Sequence, residues 1–348
     1  MIINEAEFDR AVKPIIAAVH DVACRYGYNR LQASRISFEP ESDNSWGLKQ
    51  SLNNTSLIIH KSQGLCRATH RQFGEVLLKW ELLKREVHAV DKTKHSKTLQ
   101  IQNRNSLAYE CHILRQLSDS ALSVPLLEDM AEVVVLAGSR YHLSIAARPY
   151  YAFGSLKHYL KTYKISSTQK ITLLLTAAKI LANLHDAGWI HGDIKPSNFL
   201  LADDVSTFEL VLNDFALATP IDGRLNISGG DHEALTMPQG TPAYLAPECW
   251  QGQGLSLQSD IYAFGVMLVE VLTGEKPYQI QKNSDESQDS IVSKWAIAHC
   301  QAAIPSLPIA WRGYQPLVEG MLAKRREVRI DNMSVVTERL RELHRRPL

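Results

Sequence analysis

Three polar residues crowd one short stretch of the chain: Asp193, Lys195 and Asn198, in His191-Gly-Asp-Ile-Lys-Pro-Ser-Asn198. An acid, a cation two residues on and an amide three beyond that fit on a single compact loop. Together they could steer a phosphoryl transfer. The carboxylate orients and deprotonates an attacking hydroxyl, the ammonium offsets charge on the moving group, and the amide oxygen holds a hard cation. Leu200-Leu201 then returns the chain to a buried strand. Asp214 ends a further apolar run that starts at Val211, and a carboxylate at a strand end is a second oxygen ligand for such a cation.

Other elements have to hold that loop in place. Apolar residues at Phe8, Val12, Ile15, Ile16, Val19 and Val22 recur near a helical period over 5–26, with Pro14 disturbing the early part. Residues 34–55, rich in Ser, Asn, Pro and charge, read as a linker or irregular wrap. Short strands are expected at 57–60, 65–70 and 76–80, separated by turns at Gly64 and Gly74. Residues 81–104 follow as a polar, basic, solvated insertion, then a helix over 107–117 and strands at 133–136 and 141–147. Beyond Tyr150 the pattern turns helical, with amphipathic runs at 155–163, 168–187, 257–272, 291–303 and 314–324. Strands first and helices afterwards make an α+β chain of two lobes, with a ligand expected in the cleft between them.

Composition narrows the classes. Hydrophobic residues at 45% and charged residues at 22% are those of a water-soluble globular chain, and 348 residues can bury a core without staples. A formal charge of +1 creates no field that would draw nucleic acid or an acidic membrane, so no nucleic-acid partner is expected. Cys24, Cys66, Cys111, Cys249 and Cys300 are scattered and never at CxxC spacing. That speaks against a zinc site or disulfide framework and for a reducing, cytoplasmic setting. The N-terminus lacks the basic-then-apolar order of a signal peptide, and no run of about 18 apolar residues could form a transmembrane segment.

Taken in order, the motifs resemble those of the eukaryotic-type Ser/Thr protein kinase family. His191 to Asn198 is similar to its H-R-D-x-K-x-x-N loop, and Asp214-Phe215-Ala216 to its D-F-G. Ala246-Pro247-Glu248, preceded by Gly240-Thr241-Pro-Ala-Tyr244, resembles the A-P-E close of an activation segment. Ser259-Asp260 resembles the start of a central helix whose Asp braces the catalytic loop. Arg329 stands where the family pairs an Arg with the A-P-E Glu.

The resemblance covers roughly residues 55–335 and implies a bilobal protein-kinase-like fold. Residues 56–150 would form a small antiparallel β-sheet N-lobe with one main helix, and 151–348 a larger, mostly helical C-lobe. Residues 1–55 would be a helix and linker packing on the kinase. The resemblance also implies ATP and Mg2+, with protein hydroxyls as acceptors and autophosphorylation included. Asp193 is then the base, Lys195 the cation on the moving phosphoryl group, and Thr241 the hydrogen-bond partner of both. Asn198 and Asp214 hold Mg2+. Lys79, in Val76-Leu-Leu-Lys79, matches the strand lysine that positions the α/β-phosphates. Glu110, 31 residues on, matches the helix acid that holds it, with the insertion 81–104 lengthening the gap. Glu248, Asp260 and Arg329 are braces. Nothing in the pattern fixes an oligomeric state.

Four positions depart from the family pattern. The expected phosphate-covering loop is Lys61-Ser-Gln-Gly64-Leu-Cys-Arg67, so close backbone approach to phosphate rests on Gly64 alone. Gly192 replaces the Arg that couples to a phosphorylated activation segment, and activity is expected not to depend on phosphate at Ser228 or Thr236. Ala216 replaces the D-F-G glycine and should make flipped states of Asp214 harder to reach. In the hinge, Pro149 falls where a backbone carbonyl meets adenine and Tyr151 where an N–H does, with Arg148 unusual at the back of that pocket. The single glycine and Ala216 keep open a second reading, a pseudokinase acting as an ATP-binding scaffold module. His191-Gly-Asp also occurs in small-molecule kinases of the aminoglycoside phosphotransferase type, which is the third.

Overall fold

The computed structural model describes residues 5–40, 59–84, 106–118, 122–202, 208–221, 239–281 and 286–345. Tertiary contacts divide the chain into two units: Met1–Asp119 with Val124–Tyr150, and Ser120–Ser123 with Tyr151–Leu348.

The first unit is built on an antiparallel sheet in the order β1-β2-β3-β5-β4. Its strands are β1 (Tyr28–Pro40), β2 (Ile59–His70), β3 (Gly74–Lys84), β4 (Glu128–Leu136) and β5 (Ser139–Pro149), with helices α1 (Glu5–Arg25) and α2 (Leu107–Gln116). The two-residue period of β3 explains its central place. Val76, Leu78, Trp80 and Leu82 point to one face and are buried in one cluster with Leu143 and Ile145 of β5 and Ile15, Val19 and Val22 of α1. Burial of each such side chain contributes about 1.5–3 kcal/mol. The alternate residues Lys79 and Glu81 point to the other face, where both reach α2. Helix α1 runs unbroken through Pro14, which is exposed.

Three expectations are corrected here. Residues 34–40, read as linker, belong to β1. The ladder with β2 overrides their polar composition, and Leu31 and Ile36 pack against the core. Gly64 makes no turn: β2 runs straight through it, with Ile36 and Trp80 as its ladder neighbours. A strand glycine here gives an opposing tryptophan room, and the turn falls at 71–73 instead. Residues 81–84, expected in the insertion, complete β3, with Glu81 only 3% exposed. Residues 85–104, 41–55, Leu57, Ser228 and Thr236 lie outside the described residues.

The second unit carries α3 (Leu156–Thr162), α4 (Ser167–Asp186), α5 (Pro247–Trp250), α6 (Leu257–Thr273), α7 (Gln288–Gln301), α8 (Gln315–Leu322) and α9 (Met333–Arg345). Two short strand pairs join them: β6 (Trp189–Ile190) with β9 (Thr219–Pro220), and β7 (Phe199–Leu201) with β8 (Leu210–Leu212). Helix α6 is apolar nearly all round and is therefore the core, packed by α4 and α8. Its ends are written in the sequence: Ser256 and Ser259 form a capping box, and Gly274 stops it at φ 87°. Helix α9, which the periodicity analysis did not anticipate, packs on α4. Among the described residues, no helix is long and apolar enough to cross a membrane.

Candidate active site

In the second unit the loop after β6 gathers the expected polar groups around one carboxylate. Lys195 Nζ donates to Asp193 Oδ2 at 2.5 Å and to Thr241 Oγ1 at 2.7 Å. The Thr241 hydroxyl donates to Asp193 Oδ1 at 2.7 Å, and its backbone N–H reaches the same oxygen at 3.2 Å. Asn198 Nδ2 donates to the Asp193 carbonyl at 2.8 Å and to Oδ2 at 3.2 Å. Burial alone would raise the Asp193 carboxyl. The charge and hydrogen bond of Lys195, with the bond from Thr241, outweigh it and hold the group below its ordinary value. Asp193 is thus kept ionised at neutral pH.

Two sets of contacts brace this loop from behind. Asp260, buried at the start of α6, accepts from the backbone N–H of His191 at 2.7 Å and of Gly192 at 2.9 Å, and lies 3.0 Å from His185 Nε2. His191 Nδ1 accepts from the Asp193 N–H, which leaves Nε2 to donate to the Asn213 carbonyl at 3.2 Å. Gly192 is required: it sits at φ 80°, and a Cβ there would come within 2.7 Å of Leu255 and 3.1 Å of the Leu217 carbonyl. Further out, Arg329 grips Glu248 through two bonds of 2.6 and 2.9 Å, with both side chains buried.

Asp214 follows β8 in the left-handed region, at φ 67° and ψ 71°. That conformation costs a non-glycine residue about 1–2 kcal/mol, so the surroundings hold it there. Phe215 is fully buried and meets the His191 ring edge-on at 5.1 Å. Ala216 lies inside the short helical turn of 215–217, where a Cβ is tolerated. Asn198 uses its N–H groups on Asp193, so its Oδ1 remains as the acceptor end. That oxygen and the Asp214 carboxylate are hard donors suited to Mg2+. Among the described residues no group of three or more His, Cys, Asp or Glu could hold a metal. A divalent cation held by these two oxygens would complete its shell with water and phosphate.

The first unit carries a separate charged cluster. Lys79 Nζ lies 2.7 Å from Glu110 Oε2. Arg148, on β5, places Nη2 2.9 Å from Glu110 Oε1, with side-chain exposures of 4% and 1%. Two strand positions beyond Lys79, Glu81 accepts from the Leu107 N–H at 3.1 Å and pairs with Lys61 at 3.1 Å. A carboxylate at that place meets the positive end of α2, while Ser106 caps the next turn. The role of Glu81 and the pairing of Arg148 escaped the sequence reading. The strand alternation that put Lys79 toward α2 also puts Glu81 there, and that was the available signal.

The remaining candidates fall as follows. Pro149 ends β5 opposite Val76, and the Tyr150 N–H donates to the Glu75 carbonyl at 3.2 Å. Tyr151 opens the second unit, its carbonyl accepting from Gly154 at 3.0 Å. Gly64, inside β2, is not in a position to cover phosphates as a loop residue would. The link between β1 and β2 lies outside the described residues.

Fold and loop together define a protein kinase. The chain belongs to the protein kinase domain family, whose pattern matches residues 71–340. It is similar to a receptor-like cytosolic serine/threonine-protein kinase of Arabidopsis thaliana, 34% identical over 158 residues, which are 44% of this chain and 31% of the relative. A proline-rich receptor-like protein kinase of the same plant is 41% identical over 123 residues, 34% of this chain and 16% of the relative. A calmodulin-binding receptor-like cytoplasmic kinase, also from Arabidopsis thaliana, is 34% identical over 149 residues, 41% and 27% of the two chains. The matched stretch spans less than a third of each relative's length. The family implies ATP as substrate together with a divalent cation.

Proposed function

We propose that the protein is a Ser/Thr protein kinase that transfers the γ-phosphate of Mg-ATP to protein hydroxyls, its own included. The observation that carries this is the triangle of Asp193, Lys195 and Thr241, in which every side is a hydrogen bond of 2.5–2.7 Å. The acceptor hydroxyl loses its proton to Asp193 as its oxygen bonds to the γ-phosphorus, and the bond from that phosphorus to ADP breaks. Lys195 offsets the charge on the moving group. Lys79 positions the α/β-phosphates, and Pro149 and Tyr151 offer backbone groups to adenine. Mg2+, held by Asn198 and Asp214, would supply charge neutralisation on the phosphates. Five free thiols support a reducing, cytoplasmic setting.

The test is γ-labelled ATP with purified protein and Mg2+, beside D193A, followed by phosphosite mapping. Label on Ser or Thr that vanishes in D193A is the expected result. Nucleotide binding without transfer would favour the scaffold reading. Label appearing only on added small molecules would favour the third.

A further inference from the structure

We propose that Arg148 is a positioning residue: it is a second cation on Glu110, docking α2 on the sheet so that Lys79 keeps its charge for the nucleotide phosphates. This rests on the kinase reading for its catalytic half alone. The register fixes the geometry. Leu77 faces Arg148 and Lys79 faces Ala146 across β3 and β5, so Lys79 and Arg148 stand on the same face, one step apart on neighbouring strands. Glu110 comes down from α2 between them and gives one oxygen to each, at 2.7 and 2.9 Å.

Charge decides what this does. A buried Lys79–Glu110 pair alone is neutral and would hold phosphate weakly. With Arg148 the trio carries a formal charge of +1, and the adjoining Lys61–Glu81 pair adds none. In a site where Glu110 is 1% and Arg148 4% exposed, that excess is poorly screened. Lys79, at 23%, is the member that faces outward. Arg148 thereby frees Lys79 from being the sole neutraliser of a buried acid, and ties β5 to α2 whether or not a nucleotide engages Lys79. Glu81, on the Leu107 N–H, holds the other end of the same helix.

The test compares wild type, R148M, R148K and K79M by hydrogen exchange of the α2 amides and by initial rates across Mg-ATP concentrations. In R148M we expect α2 to exchange about tenfold faster and KM for ATP to rise about tenfold, with kcat within about threefold. R148K should restore both to within about threefold, because a lysine keeps the positive charge that faces Glu110. K79M should lose turnover yet keep α2 protected, since Arg148 still holds Glu110. Wild-type exchange and KM in R148M would overturn the proposal, as would equal loss of protection in K79M. Should R148M fail to fold, the K79M and R148K exchange results decide. If wild type transfers no phosphate at all, the kinase reading falls, while exchange still decides whether Arg148 docks α2.

Discussion

The two units each bury an acid beside a lysine, and they secure it differently. In the second unit Asp193 is held by Lys195, two residues away, by Asn198, five away, and by the neutral hydroxyl of Thr241. Backbone bonds to Asp260 fix the loop from behind. In the first unit Glu110 draws on partners far apart in the sequence. Its two cations come from separate strands, and the acid itself arrives on a helix. The loop's bonds to Lys195 and Asn198 close within five residues, with Thr241 and Asp260 added from farther along the chain, whereas the Glu110 cluster exists only while α2 is docked. Geometry that depends on docking can be lost without unfolding the sheet, so the Glu110 cluster is the more adjustable of the two.

The largest effect should come from breaking the Asp193 loop. D193A removes the proposed base and the acceptor on which Lys195, Asn198 and Thr241 converge. Turnover should fall on the order of a thousandfold, with the thermal midpoint little changed because Lys195 keeps access to solvent. Steady-state phosphorylation and a melting curve check both halves of that statement. A D193A protein with normal turnover would remove Asp193 from the mechanism.

Next is the buried brace of the second unit, the pair to set beside Arg148 and Glu110 in the first. Arg329 and Glu248 form a fork with side-chain exposures of 0% and 3%, and Arg329 also donates to the carbonyls of Gln258 and Ala323. R329M strands a buried carboxylate, and a loss of about 3–5 kcal/mol is expected. The double variant R329M/E248M should recover part of it, because the desolvated acid is gone. Denaturant unfolding of the two proteins makes the measurement. Equal stability of R329M and wild type would mean the pair does not brace the unit.

The same contrast explains what could be read from sequence. Asp193, Lys195 and Asn198 were legible because their bonds close within five residues, so spacing alone nearly dictates contact. Thr241 needed the family resemblance, being 48 residues from its partner. Lys79 and Glu110 also came from the resemblance, fitted to one strand and one helix pattern. Arg148 and Glu81 did not, since their meeting with α2 depends on strand register and helix docking, which no local pattern encodes. Gly64 was misassigned because a glycine between polar residues reads as a turn. Here it faces Trp80 inside a continuous ladder. β1 was missed because its polar residues line a strand whose partner, not whose composition, makes it extended. In α9, Met333, Val336 and Leu340 do recur at helical spacing, but charged residues between them masked the stripe.

A milder change sharpens how the Asp193 loop is held. T241A keeps the backbone N–H contact to Asp193 and removes the hydroxyl bridge to Asp193 and Lys195. A bond to a charged group contributes about 1.5–3 kcal/mol, so kcat should fall roughly ten- to a hundredfold. T241S should restore most of it. A T241A enzyme with unchanged kcat would show that Lys195 and Asn198 suffice to hold the carboxylate.

A last prediction concerns pH, and it separates the loop from the helical body around it. Burial pushes the His299 imidazole down to about 3 from 6.5, with the Lys324 charge acting in the same sense. Its Nδ1 lies 2.9 Å from the Tyr262 hydroxyl, a bond that suits a neutral ring. A basic group with a lowered folded pKa binds its proton more readily when unfolded. Stability is therefore full above about pH 6.5 and declines as pH falls toward 3. Asp193 also loses its contribution on acidification, but only below its unfolded value of 3.8. Lys324 works in a third window: burial lowers it to about 8 from 10.5, so stability should rise as pH climbs between those values. The acid limit of the second unit is therefore expected to follow His299 and not the Asp193 loop. Thermal melts of wild type and H299N between pH 4 and 7 check this, with a flatter profile expected in the variant. Identical profiles would move the acid-sensitive group elsewhere, while a D193N profile that also flattens above pH 4 would mean the loop shares the acid limit with His299.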